Sequence, residues 1–383
     1  MNLRDVTYLA SDAGKGLLER IGELSGDSLT KQGVLRKDYP AEYVRAAMAL
    51  MDLRERGRRK FRDADRMFFD RDGLEQASGD VIAEHRAKRY AGCADVVDVC
   101  CGIGGDSVAL ARMAKLTSVD VRPERVRMAR ENMSVSGLTA KFACADVRYW
   151  CPSGAAFFID PSRREGGRRV VHLNDYAPSF DELPWLRPEL AVGIKVAPGI
   201  DHEELPDGCE TEFISVAGEC REAILWFGAL QSGARVRATL LPSGDSIAHA
   251  PVEPVPCGEI SAYLYEPDRA VIRAHLVEQV ATRIGARKLA PDVAYLTSET
   301  QVDSPYARVF SVEAVLPFSI KRVQAYVKDQ GIGRLDIKKR RFPMTSDAVF
   351  GKLKLKGCRS STLILTRVEE NPVAIFCQPE IRG

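Results

Sequence analysis

The chain has 383 residues, 45% of them hydrophobic and 28% charged, and carries a formal net charge of only +2. That length exceeds the usual single domain, and any basic surface must be local rather than global. Ten cysteines occur without regular spacing and without a Cys-x-x-Cys pair, so neither disulfides nor a metal site is expected. The start Met-Asn-Leu-Arg-Asp lacks the basic flank and apolar core of a signal peptide, and no apolar run is long enough to span a bilayer. A cytoplasmic protein is expected, with no membrane contact and no obligate protein partner.

From the N-terminus, residues 1 to 67 show apolar positions at helical spacing, as in the run Ala41 to Met51, and predict a helical lobe. Phe68 to Ser78 leads into a further helix through Glu84-His85-Arg86, with His85 read as a packing or solvated histidine. An apolar strand then ends at Asp98, turns through Gly102, Gly104 and Gly105, and enters a helix at Asp106. A second strand ends in Asp120, 22 residues after Asp98. This is the pattern of a nucleotide-binding βαβ unit. Lys141 to Val147 reads as a third strand with Asp146 at its end, and Ala155 to Ile159 as a buried strand that breaks at Asp160-Pro161. Leu190 to Val196 follows, then Glu212 to Ala217 and Glu222 to Phe227, joined by a turn containing Gly218.

The glycines choose the cofactor. A dinucleotide site needs its third glycine at position 107, where this chain has Ser107, so a pyrophosphate is poorly served. A methyl donor has no phosphate. It needs the turn for close backbone approach and a carboxylate at the second strand end for the ribose hydroxyls, the place of Asp120. On Asp98, Gly102, Gly104 and Asp120 the chain resembles the class I S-adenosylmethionine-dependent methyltransferases over about residues 68 to 230. The resemblance implies an α/β fold with a Rossmann-like seven-stranded methyltransferase sheet, and S-adenosyl-L-methionine as cofactor. It places Cys100, Asp106, Val121, Asp146 and Val147 beside the cofactor, Asp146 on the adenine amino group and Val147 flanking the ring. In related methyltransferases the helix upstream covers the cofactor, so Glu75, Gln76 and Ser78 become candidates for the methionine end.

Beyond the core, Pro242, Pro251, Pro254 and Pro256 mark a connection that cannot be continuous helix. Four segments are expected: the helical lobe at 1–67, the methyltransferase domain at 68–250, a small ferredoxin-like α+β element at 258–303, and 304–383. The last segment resembles the THUMP-like domain that follows a methyltransferase core in a bacterial family. Its run Gly331 to Arg341 concentrates positive charge, and Lys338, Lys339, Arg340 and Arg341 are candidates for an RNA phosphate backbone. Arg163 and Arg164, in a loop with Gly166, Gly167, Arg168 and Arg169, are candidates to grip substrate.

Asp160, Pro161 and Ser162 are the catalytic candidates. An exocyclic amine is a poor nucleophile and must be held in line with the methyl group while it pyramidalises, a task for Asp160 and the Pro161 carbonyl. Amino-methylating enzymes usually carry an aromatic after Asp-Pro-Pro or Asn-Pro-Pro, whereas Ser162-Arg163 follow here. A covalent pyrimidine mechanism lacks its cysteine, since position 162 is serine and Cys151 precedes the strand. The expected activity is methylation of guanine N2 or adenine N6 in structured RNA such as tRNA or rRNA, loosely similar to trimethylguanosine synthases. The alternatives are a methyltransferase for a protein or small molecule, and a non-catalytic RNA-binding protein that keeps the fold.

Overall fold

The computed structural model describes residues 1–150, 153–162, 164–165, 168–169, 172–187, 189–369 and 371–378. Packing divides the chain into two units, residues 1–212 with 221–235, and residues 213–220 with 236–383.

The first unit opens with α1 (Leu3–Ala10), α2 (Asp12–Glu23), α3 (Ser28–Leu35) and α4 (Ala41–Gly57). Side chains of Asn2, Ser11 and Asp27 cap the first three, each accepting from an otherwise orphaned backbone N–H. Their apolar stripes, among them Val6, Leu9, Leu17, Val44 and Leu50, join Phe69, Leu74, Ile103 and Met128 in one cluster. Each large side chain so buried contributes about 1.5–3 kcal/mol. The helical lobe therefore shares its core with the glycine turn instead of forming a separate body. Buried Asn132 holds the join: it accepts from the Phe68 N–H at 2.6 Å and donates to the carbonyls of Phe68 (3.0 Å) and Ile103 (2.8 Å).

The α/β part continues with α5 (Arg71–Gln76), α6 (Asp80–Ala87), β1 (Asp95–Val99), α7 (Gly105–Ala111), β2 (Lys115–Asp120) and α8 (Pro123–Val135). Then come β3 (Lys141–Cys144), β4 (Ala156–Ile159), the short pair β5 (Arg164–Glu165) and β6 (Arg168–Arg169), β7 (Ala191–Val196), β8 (Glu210–Val216) and β9 (Glu219–Phe227). The tip of the β8–β9 hairpin, residues 213–220, counts with the second unit. Seven strands of a nine-stranded sheet lie in the order β8-β9-β7-β4-β1-β2-β3. Strands β7, β4, β1, β2 and β3 are parallel, while β9 runs antiparallel to β7. These seven strands are those of the expected methyltransferase sheet. Central strand β4 is buried at every residue, as a sheet covered on both faces requires. Parallel register brings the carboxyl ends of β1, β2, β3 and β4 to one edge, where the Asp160 N–H donates to the Val99 carbonyl at 3.1 Å and the Ala145 N–H to that of Asp120 at 3.1 Å.

The second unit contains β10 (Val236–Leu241), β11 (Asp245–Ala248), β12 (Tyr263–Pro267), α9 (Arg269–Arg273), α10 (Val277–Ile284), β13 (Arg287–Ala290) and β14 (Val293–Ser298). It ends with β15 (Ala307–Pro317), α11 (Ile320–Asp329), β16 (Ile332–Lys339), α12 (Ser346–Phe350), β17 (Arg359–Val368) and β18 (Asn371–Cys377). The sheet order is β13-β14-β12-β15-β18-β17-β16, with β16 parallel to β17. Segments 258–303 and 304–383 thus share one sheet, joined where Tyr263 of β12 pairs with Ser311 of β15. Helices α9 and α10 are separated where His275 takes φ 57°.

Candidate active site

At the carboxyl edge of the first unit's sheet opens a cleft of about 570 Å³. Its floor is the turn after β1. Cys100, Gly102 and Gly104 all take positive φ there, 62°, 55° and 82°, which lets the backbone reverse and enter α7. A side chain at Gly104 would press on Ala129 of α8, its Cβ lying 3.0 Å from both Cα and Cβ of that residue.

Asp120 leans over this turn. Its Oδ2 accepts from the Gly102 N–H and its Oδ1 from the Arg122 N–H, both at 2.9 Å. Burial pushes its carboxyl up, and those two bonds pull it back. Cys100, Gly102, Asp106, Val121, Asp146 and Val147 line the same cleft. Asp146 pairs with Arg148 at 2.7 Å, which holds its carboxyl below the usual range, and Arg148 also reaches Glu182 at 3.2 Å. Trp185 fixes the next residue by donating from Nε1 to the Val147 carbonyl at 2.8 Å.

Four of the residues expected at the cofactor lie outside the cleft lining: Gly104, which acts through the turn itself, and Asp98, Glu75 and Ser78. Asp98 is wholly buried beneath the turn, where its Oδ2 accepts from the Ser107 hydroxyl at 2.5 Å and its Oδ1 finds no hydrogen-bond partner. Burial, reinforced by Asp106, pushes that carboxyl well above its ordinary range, and the residue supports the turn from below. Ser107, which takes the place of a third glycine, is thereby explained. Glu75 pairs with Arg71 at 3.4 Å and Arg56 at 3.9 Å, because helical spacing puts Asp72, Gly73 and Gln76 on the cleft face of α5 and Glu75 off it. Ser78 is buried and donates to Glu222 at 3.3 Å.

Asp160, Pro161 and Ser162 all line the cleft. The Ser162 N–H and carbonyl exchange bonds with Ala177 at 2.9 and 3.0 Å, which pins the strand break. Asp160 Oδ2 accepts from Lys195 Nζ at 2.7 Å. Beside it Arg86, buried on α6 and stacked over Phe158, bridges Asp106 and Glu222. Sequence reasoning passed over Lys195, Arg86 and Glu222. Their signal was a charged residue inside an apolar run, as in Ala-Val-Gly-Ile-Lys-Val, where burial demands a partner. His85 is likewise engaged, with Nε2 2.8 Å from Glu212 Oε1.

The substrate candidates separate. Arg163 lies outside the described residues, and Arg164 is described only as the β5 residue opposite Arg169. In the second unit, Lys338 and Arg340 face inward: Lys338 pairs with Glu266 at 2.9 Å above the Phe310 ring, and Arg340 reaches Glu266 at 3.5 Å above Tyr295. The alternation of β16 explains this, since positions two apart share a face. Lys339 and Arg341 are exposed, Arg341 pairing with Asp292 at 2.9 Å, and together with Arg340, Phe342, Pro343 and Arg367 they line a hollow of about 330 Å³.

The cleft's charge bears on what it can hold. Among the described residues, Asp72, Asp106, Asp120, Asp146, Asp160 and Glu182 line it against Arg122, Arg125 and Arg148. Such carboxylates favour a ligand with a sulfonium and an ammonium group over a pyrophosphate. Together with the glycine turn under Asp120, they define a site for S-adenosylmethionine in a class I methyltransferase fold.

Comparison with known proteins agrees. A methyltransferase domain model matches residues 96–159, a THUMP domain-like model residues 307–379, and a model for a domain of unknown function residues 2–57. An uncharacterized S-adenosylmethionine-dependent methyltransferase of Mycobacterium tuberculosis H37Rv is 36% identical over 323 residues, 81% of this chain and 88% of that protein. Its counterpart in strain CDC 1551 matches equally. A solved structure from Porphyromonas gingivalis W83, classed provisionally as a methyltransferase, has the same fold at 22% identity with a TM-score of 0.74, covering 99% of this chain and 98% of the other. The chain belongs to the S-adenosylmethionine-dependent methyltransferases, and its C-terminal region is THUMP-like.

Proposed function

We propose that the enzyme methylates an exocyclic base nitrogen, guanine N2 or adenine N6, of a structured RNA such as tRNA or rRNA in the cytoplasm. The observation that carries this reading is the placement of Asp160, Pro161 and Ser162 on the wall of the cofactor cleft. The exposed cations of the THUMP-like region support it from a second direction.

In this reading Asp120 takes the ribose hydroxyls, Asp146 and Val147 the adenine, and Gln76 with Asp72 the methionine end. Bound S-adenosylmethionine supplies an electrophilic methyl group on a sulfonium. With one oxygen held by Lys195, Asp160 presents the other to an N–H of the base amine, and the Pro161 carbonyl accepts a second. These two acceptors orient the nitrogen lone pair along the line of attack. Asp160 then receives the proton that the nitrogen sheds as its new bond to carbon forms. Tyr149, 86% exposed beside the cleft residue Arg148, offers an aromatic face for a base in place of the aromatic missing after Pro161. Lys339, Arg341 and Arg367 serve the RNA backbone, whereas Lys338 and Arg340 are held by Glu266.

The test is to incubate the purified enzyme with methyl-labelled S-adenosylmethionine and the RNA, protein and small-molecule fractions of a strain lacking it, beside an Asp160→Ala control. Label in RNA that the control abolishes is expected. Label confined to protein or small molecules would overturn the substrate assignment, and undiminished label with Asp160→Ala would overturn the role of Asp160.

A further inference from the structure

We infer that Lys195 is a positioning residue of the methyl-transfer site, fixing one oxygen of Asp160 and tying it to the carbonyl end of α5. This rests on the reading of Asp160 as the carboxylate that faces the acceptor.

Lys195 is 2% exposed on β7, between the fully buried Ile194 and Val196. Lysine is almost never buried this deeply without a partner. The register Ile159 opposite Ile194 carries Lys195 up beside Asp160, and its Nζ lies 2.7 Å from Asp160 Oδ2 and 3.2 Å from the Gln76 carbonyl oxygen. Gln76 is the last residue of α5, and both it and Asp160 line the cleft. One ammonium group therefore joins the wall that the acceptor must reach to the segment on the cofactor side.

The surrounding charges make this bond matter. Asp160 is faced by Lys195 from β7, by Arg86 from α6, by Asp98 and Cys100 from β1 and its turn, and by Asp106 from α7, with Glu222 of β9 behind Arg86. Burial pushes the Asp98 carboxyl and the Cys100 thiol well above their ordinary values. Among the described residues, Asp106, Asp160 and Glu222 cluster about Arg86 and Lys195. Without Lys195, Asp160 loses the cation it touches while Asp106 stays close by, and its side chain, at 22% exposed, is open to a proton from solvent. A protonated Asp160 donates where it must accept, and it has no place for the amine's proton.

The experiment measures S-adenosylmethionine binding to the full-length protein by titration calorimetry, in two buffers of different protonation enthalpy, from mildly acid to mildly alkaline pH. Lys195→Met is expected to release close to one proton per cofactor bound in excess of wild type, since the arriving cation returns Asp160 to its ionised form. Lys195→Gln, a polar substitution that keeps a donor in the pocket, should do the same should Lys195→Met fold poorly. Lys195→Arg should restore wild-type behaviour, and the double variant Lys195→Met/Asp160→Asn should abolish the extra release. In the RNA-labelling assay, kcat of Lys195→Met should be lost at neutral pH and return as pH rises. A lysine with only a structural role would lower kcat alike at every pH. Equal proton release by wild type, both neutral variants and the double variant would overturn the inference while leaving the reading of Asp160 intact. Full labelling by Asp160→Ala would defeat that reading, whatever the calorimetry showed.

Discussion

Arg86→Met tests the buried framework behind the cleft. Methionine keeps an unbranched stem over Phe158 but leaves Asp106 and Glu222, now without their shared guanidinium, facing each other in a buried site. Removing one partner of a buried ion pair costs about 3–5 kcal/mol. For a domain of this size that lowers the melting temperature by roughly 6–20 °C, at about 2–4 °C per kcal/mol. The loss should depend on pH with a definite sign. Burial already raises the Asp106 carboxyl and Arg86 pulls it down, so in the variant its folded value rises further above its unfolded one. A group of that kind contributes stability below its unfolded pKa and loses it as pH climbs through the folded value. The deficit should therefore grow from acid to neutral pH, and the triple variant Arg86→Met/Asp106→Asn/Glu222→Gln should recover most of it. Thermal melts across pH give the readout. A neutral-pH melting temperature within about 2 °C of wild type, well under the smallest loss the buried pair implies, or a deficit that shrinks as pH rises, would refute the reasoning.

Other expectations follow from the turn and the THUMP-like region. Gly104→Ala places a Cβ 3.0 Å from Ala129 at φ 82°, so it should cost about 1–3 kcal/mol and weaken S-adenosylmethionine binding, as read by melts with and without the cofactor. Cys100→Gly relieves a left-handed residue at φ 62°, and the gain, partly offset by chain entropy, should raise the urea midpoint by the equivalent of up to about 1 kcal/mol. Lys339→Ala and Arg341→Ala should each flatten the salt dependence of RNA binding by about 0.7–0.9 in log–log slope. Lys338→Ala, which breaks the pair with Glu266, should lower stability and leave that slope unchanged.

The part of the site that could be read in the sequence was the part fixed by backbone geometry. Glycines at 102 and 104 and a carboxylate at 120 are demanded by the turn and by the end of the second strand, so their spacing carried the cofactor and the fold. Side-chain direction was less accessible. Asp98 has the right spacing yet points into the core, and Glu75 sits one helical step off the cleft face. The basic run 338–341 read as one patch because charge along a sequence does not show which residues of a strand face inward. Tertiary partners such as Lys195 with Asp160, or Arg86 with Glu222, could not be paired from spacing, since they meet only after the strands are in register.

The most direct test of the account is a nucleoside analysis of RNA from a strain lacking the enzyme, before and after incubation with the purified protein and S-adenosylmethionine. The appearance of N2-methylguanosine or N6-methyladenosine in digested RNA, absent with Asp160→Ala, is the predicted result. RNA nucleosides unchanged by an enzyme that demonstrably binds its cofactor would contradict it.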